Sequence, residues 1–136
     1  MEKFFNTAGP VVPKDHYHID PFSRLNWPEI QHLIAQKKYF LLHAPRQTGK
    51  TSTLLAIMKE LNQGDTYACA YANIEAAQVA RHDVDSGVDS IVMSIVESVE
   101  LYLGDESLKR WYYTEEARCT SPKSKITTLL KRWTQT

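Results

Sequence analysis

The stretch Lys38-Tyr-Phe-Leu-Leu-His-Ala-Pro-Arg-Gln-Thr-Gly-Lys-Thr-Ser52 decides the expected fold. Its first half places four apolar or aromatic residues in succession, which is typical of a strand buried on both faces in a parallel sheet. Its second half contains Pro45 and Gly49 and predicts a loop. Residues 51–62 then carry apolar side chains at helical spacing, and Gly64 follows them. We therefore expect a strand at 38–43, a loop, and a helix at 51–62.

The loop at residues 44–51 fits the pattern of a phosphate-binding loop, with alanine at the usual first glycine. A loop that enters a helix directs backbone N–H groups and the positive end of the helix dipole at one point. Gly49 allows the backbone to approach a phosphate closely. Lys50 is expected to reach the β- and γ-phosphates, and the Thr51 hydroxyl to bind Mg²⁺. The predicted nucleotide-binding residues are Ala44, Pro45, Arg46, Gln47, Thr48, Gly49, Lys50, Thr51 and Ser52.

Several roles within this loop stay open. Arg46 and Gln47 are consistent with contact to the γ-phosphate, contact to a partner subunit, or plain solvent exposure. Ser52 follows the loop and is a candidate contact for the α-phosphate. The chain has no guanine-reading Asn-Lys-x-Asp motif, which favours ATP over GTP.

The remaining chain predicts one further strand and several helices. Residues 1–26 are rich in proline and are expected to be an extended N-terminal segment, followed by an ATPase-like portion at 27–136. Asn26, Pro28 and Glu29 predict a helix start, with the helix covering about 28–37. Residues 66–74 alternate apolar and small side chains and predict the second strand. Helices are expected at 86–103, near 107–113, and after Ser121. The predicted fold class is α/β: a three-layer P-loop NTPase sandwich, incomplete, with its first two core strands and surrounding helices.

Composition excludes some classes of function. Lys plus Arg and Asp plus Glu both total 16, so the chain lacks the basic excess that nucleic-acid binders usually show. No stretch is long and apolar enough for a membrane span, and the first residues do not read as a signal peptide. Cys69 and Cys119 are isolated thiols without metal or redox spacing. A cytoplasmic location is the expectation.

The loop and its flanks resemble the ATPase domain of prokaryotic AAA-like proteins related to the STAND class. Phe4-Phe5-Asn6-Thr7-Ala8-Gly9-Pro10 and Asn73-Ile74-Glu75-Ala76-Ala77 also resemble segments of that family, in which alanine at the first loop position is usual. The resemblance implies ATP and Mg²⁺ as cofactors, and it implies that His16 and Tyr17 pack near the adenine. The family next has a Walker B strand ending in acidic residues. No such segment follows residue 66, so the chain is expected to be truncated before it.

Other candidate residues carry weaker signals. Glu75 follows the second predicted strand, where it could orient a water molecule, although a capping or surface role is the simpler interpretation. His16 and His18 have alternate spacing but no third metal ligand nearby in sequence. The aromatic run from Trp111 to Tyr113 could stack on nucleic acid, but a packed short helix explains it better.

The sequence therefore predicts an ATP-binding, AAA-like domain in which binding is favoured over efficient hydrolysis. A first alternative is a non-catalytic interaction module, in which a second copy or a protein partner completes the sheet. A second alternative is a small phosphotransferase, for which the only loose substrate-binding candidates are Arg81, Asp83, Asp85 and Arg118.

Overall fold

The computed structural model describes residues 21–43 and 49–135. The chain divides into two compact units, Met1–Gln63 and Gly64–Thr136. The described residues form six α-helices and two short 3₁₀ helices. The boundary predicted at residues 26 and 27 stays a prediction.

The prediction of an incomplete α/β sandwich is wrong, because the described residues contain no strand. Both predicted strands, 38–43 and 66–74, lack regular secondary structure, and a 3₁₀ helix begins only at Glu75. A strand exists only where a neighbouring segment accepts and donates its backbone hydrogen bonds. The first segment is also not buried: the exposed fractions of Tyr39 and Leu41 are 104% and 85%. The apolar side chains of residues 39–42 are therefore not covered by a sheet of described residues.

The first unit contains a 3₁₀ helix at Pro21–Arg24, α1 at Trp27–Ala35 and α2 at Lys50–Asn62. The start of α1 was predicted correctly: the Asn26 side chain accepts a hydrogen bond from the Glu29 backbone N–H and donates one to the Glu29 carboxylate. Phe22 and Trp27 pack edge to face with ring centroids 4.8 Å apart. Ile30 on α1, together with Ile57 and Met58 on α2, is buried.

The end of α1 is a Schellman motif built on lysine. The backbone N–H of Lys38 donates to Leu33 O, and that of Lys37 donates to Ile34 O. Lys37 has φ +56°, a left-handed conformation that glycine usually supplies. The chain therefore leaves the helix here although its sequence has no glycine at this position.

The second unit is organised around one long helix. It contains a 3₁₀ helix at Glu75–Ala80, α3 at Val84–Leu103, α4 at Ser107–Tyr112, α5 at Glu115–Cys119 and α6 at Pro122–Thr134. Helices α4 and α6 pack on α3, and the 3₁₀ helix packs against α3 as well. The predicted helices of this unit are confirmed within about two residues, whereas α5 and the 3₁₀ helix were not predicted. The core consists of Val92, Val96, Val99, Leu108, Trp111, Ala117 and Leu129.

Local signals explain the limits of α3. The Asp83 carboxylate accepts hydrogen bonds from the Ser86 backbone N–H and hydroxyl, at 3.1 and 2.6 Å. These bonds hold the pKa of Asp83 below its ordinary value. At the other end, Gly104 has φ +66° and its N–H donates to Glu100 O.

Candidate functional site

The predicted phosphate-binding loop is only partly within the described residues. Ala44, Pro45, Arg46, Gln47 and Thr48 lie outside them, as do His16, Tyr17 and His18. Gly49, Lys50, Thr51 and Ser52 are described, and they form the entry to α2.

The entry to α2 combines a left-handed glycine with an exposed lysine and an exposed threonine. Gly49 is the N-cap, with φ +84° and ψ +23°, a left-handed conformation that strains any residue with a Cβ. Lys50 and Thr51 are the first two helical residues, and their side chains are exposed. The N-cap itself is a glycine and offers no side chain to cap the helix, and the first turn of α2 contains no acidic residue. The dipole of α2 is therefore not neutralised by a carboxylate of its own first turn.

Of the residues at this helix start, only Thr51 offers a suitable ligand for a magnesium ion, and it would be one ligand among several. The Thr51 hydroxyl is a hard oxygen donor at the correct place relative to Lys50 in sequence. Within residues 21–43 and 49–135, no group of three His, Cys, Asp or Glu side chains lies close enough to hold a metal. The other ligands of a Mg²⁺ ion here would be phosphate oxygens and water.

Glu75, the weaker catalytic candidate, lies at the start of the 3₁₀ helix Glu75–Ala80. Its backbone N–H donates a 2.9 Å hydrogen bond to the Asn73 side chain, and its carboxylate is exposed. Asn73 therefore makes an Asx turn that starts the 3₁₀ helix. The geometry supports a local structural role for this pair.

The aromatic run on α4 forms part of the core. Trp111 is buried, and the Arg132 guanidinium lies 5.8 Å from its ring centroid. The Tyr112 hydroxyl donates a 2.9 Å hydrogen bond to Asp89 on α3. Only Tyr113 presents most of its ring to solvent. The interpretation as a packed short helix is confirmed, and base stacking by the whole run does not fit its burial.

A second group of polar residues comes together where the sequence showed no motif. The Asp89 carboxylate receives the Tyr112 hydrogen bond and an ion pair from Lys125 on α6, with Nζ 3.1 Å from Oδ1. The Lys125 ammonium also lies 5.3 Å from the Tyr112 ring centroid. Partial burial and the bond to Asp89 raise the pKa of Tyr112 to about 12. No sequence signal points to this network, because its members lie on three different helices.

The structure brings two of the loose phosphotransferase candidates to one cleft. Asp83 is used as the cap of α3, whereas Asp85 and Arg118 line one open cleft of the second unit. This juxtaposition could not be read from sequence, since it depends on how α3 meets the junction of α5 and α6.

No helix among the described residues has the length and apolar character that a membrane crossing demands. Comparisons of the chain with protein-family models, with curated proteins and with solved structures gave no match.

Proposed function

We propose that residues 44–51 and the first turn of α2 bind the polyphosphate of ATP as a magnesium complex. The observation that carries the proposal is the junction at Gly49: a left-handed N-cap glycine is followed at once by Lys50 and Thr51 at the exposed start of a helix of 13 residues. Polyphosphate recognition of this kind uses backbone N–H groups and a helix N-terminus. P-loop proteins also place a buried strand before the loop, and residues 38–43 form no strand, so the helix entry alone supports the proposal. The resemblance to AAA-like ATPases of the STAND class supports the same ligand.

Each part of the site has one task in this proposal. The N–H groups of the loop and of the first turn surround the phosphates, and the Lys50 ammonium neutralises charge on the β- and γ-phosphates. The Thr51 hydroxyl would contribute one ligand to Mg²⁺, and Ser52 would contact the α-phosphate. A bound Mg²⁺ supplies charge neutralisation between the phosphate oxygens.

Binding without efficient turnover is the expected behaviour. Phosphoryl transfer to water needs a group that orients the attacking water near the γ-phosphate. In the family that the loop resembles, this group comes from an acidic residue at the end of the Walker B strand, and no apolar run with strand character followed by Asp or Glu occurs after residue 66. We therefore expect nucleotide affinity with very slow release of phosphate.

Calorimetric titration of the full chain with Mg·ATP tests the proposal. Wild-type protein should release or absorb heat with a saturable isotherm. Lys50→Ala should weaken binding at least tenfold, because a charge-assisted contact to phosphate contributes about 1.5–3 kcal/mol. Lys59→Ala is the matched control, since Lys59 is an exposed lysine of the same helix. Circular dichroism confirms that each variant is folded.

Two results would reject ATP binding at this site. The first is a flat titration from folded wild-type protein. The second is equal affinity of wild type and Lys50→Ala. Rapid, Lys50-dependent phosphate release would keep the binding site and reject only the expected slow turnover.

A non-catalytic interaction module is the second candidate, and the exposure of residues 39–41 favours it. Tyr39, Phe40 and Leu41 present apolar side chains from a segment without regular structure. An extended apolar segment can add as a strand to the sheet edge of a partner or of a second copy. Sedimentation velocity of wild type and of Tyr39→Lys/Leu41→Lys tests the second copy: self-association should be seen in the first and lost in the second.

A further inference from the structure

The second unit contains an open cleft of about 540 Å³ between the first two turns of α3 and the junction of α5 with α6. Its volume lies within the range of small-molecule sites. The residues that matter for recognition are Asp85, Val88, Ser90, Arg118, Pro122 and Lys125.

One part of the cleft is already internally neutralised. Lys125 is 15% exposed and its ammonium is ion-paired with Asp89, which also accepts the Tyr112 hydrogen bond. This network therefore shapes the cleft and contributes no net charge to it.

The exposed charges of the cleft, in contrast, do not neutralise each other. Asp85 and Arg118 line the same cleft, but their charged groups do not come within the 4.0 Å of an ion pair. Among the described residues, neither side chain makes an ion pair with any other group. The carboxylate of Asp85 and the guanidinium of Arg118 are therefore both available to a ligand in this cleft.

We propose that this cleft binds a small zwitterion of the α-amino-acid class. The planar Arg118 guanidinium matches a carboxylate, and Asp85 matches a protonated amine. Val88 and Pro122 provide an apolar wall for an aliphatic side chain, and Ser90 adds a hydroxyl. The cleft carries two carboxylates and two cations, so its charge balance favours a ligand of zero net charge over phosphate. This inference is independent of ATP binding by the first unit.

Heteronuclear NMR titration of the full chain with L-leucine tests the proposal. Saturable shifts are expected for the amides of Ser86–Ser90 on α3 and of the α5–α6 junction. Isocaproate lacks the amine of leucine and isoamylamine lacks its carboxylate. Each of these two probes should bind at least tenfold more weakly than leucine, because each meets only one of the two charges.

Paired variants locate the site. Arg118→Gln and Asp85→Asn should each weaken leucine binding at least tenfold. Lys123→Gln and Glu97→Gln remove exposed charges of α6 and α3 that do not line the cleft. These two variants should leave the leucine affinity unchanged. All four positions are exposed, so the variants should keep the wild-type thermal midpoint.

Four results would overturn the proposal. They are the absence of saturable shifts with leucine, binding of isocaproate as tight as that of leucine, displacement of leucine by inorganic phosphate, and unchanged leucine affinity in both folded cleft variants. The second and third would identify a simple anion site.

Discussion

Adjacent leucines on α6 provide the sharpest test of the helical core. Leu129 is fully buried among α3, α4 and α6, whereas the exposed fraction of Leu130 is 42%. Both are adjacent leucines of α6. Replacing each by alanine therefore compares the same chemical change at two levels of burial.

The expected magnitudes follow from the removed carbon atoms. Leucine to alanine removes three carbons, which corresponds to about 2.4 kcal/mol at roughly 0.8 kcal/mol for each buried methylene. The cavity that Leu129→Ala leaves raises its cost toward the range of about 2.7–5 kcal/mol seen for buried leucines. For Leu130→Ala the transfer cost falls to roughly 1 kcal/mol, because about half of the side chain is already hydrated.

Urea denaturation followed by tryptophan emission measures both variants. A Trp27→Phe background leaves Trp111 and Trp133, which both belong to the second unit. We expect free energies of unfolding lower by about 3 kcal/mol for Leu129→Ala and by about 1 kcal/mol for Leu130→Ala. Equal losses, or a larger loss at Leu130, would show that α6 presents a different face to α3 and would refute the described core.

Four further predictions follow from local geometry. Gly87→Ala on α3 should raise stability by about 0.5–1 kcal/mol in the same assay, because a Cβ there would meet Ala80 Cβ at an ordinary 3.7 Å; a loss would place Gly87 in tighter contact. Lys37→Gly should raise the free energy of unfolding by about 0.5–1 kcal/mol, measured by circular dichroism in urea, because glycine adopts the left-handed conformation without strain, whereas Lys37→Ala should not. Ultraviolet titration should show one phenol with a pKa near 12 that Tyr112→Phe removes; since this folded value exceeds the unfolded one, the stabilisation is complete below pH 10 and is lost as pH rises from about 10 to 12. Amides of residues 39–42 should exchange rapidly in monomeric protein, and strong protection there would contradict the absence of a sheet.

Much of the helical structure could be predicted because its signals are local. Asn26 and Pro28 define the start of α1, and Gly104 ends α3, since each acts on backbone groups within four residues. The valines and isoleucines of α3 keep the helical period despite their β-branching, and burial against α4 and α6 outweighs their weak propensity. The start of α2 at Lys50 was likewise expected within one residue.

Part of the candidate sites was also visible in sequence, and part was not. The order Gly49, Lys50, Thr51 is a contiguous motif, so the helix entry it needs could be inferred directly. The cleft of Asp85 and Arg118 and the network around Lys125 join residues from different helices. No periodicity connects such residues, so their juxtaposition could not be inferred from spacing.

The sequence by itself determined where α1 and α2 begin and where α3 ends, because capping side chains, prolines and glycines act over one turn of backbone. Tertiary structure decided that the apolar runs near Tyr39 and Tyr67 form no strand, because a strand forms only when another segment supplies its hydrogen bonds. It also decided that Leu129 and not Leu130 is buried. Both outcomes depend on what lies opposite a residue in space, and a single chain segment does not carry that information.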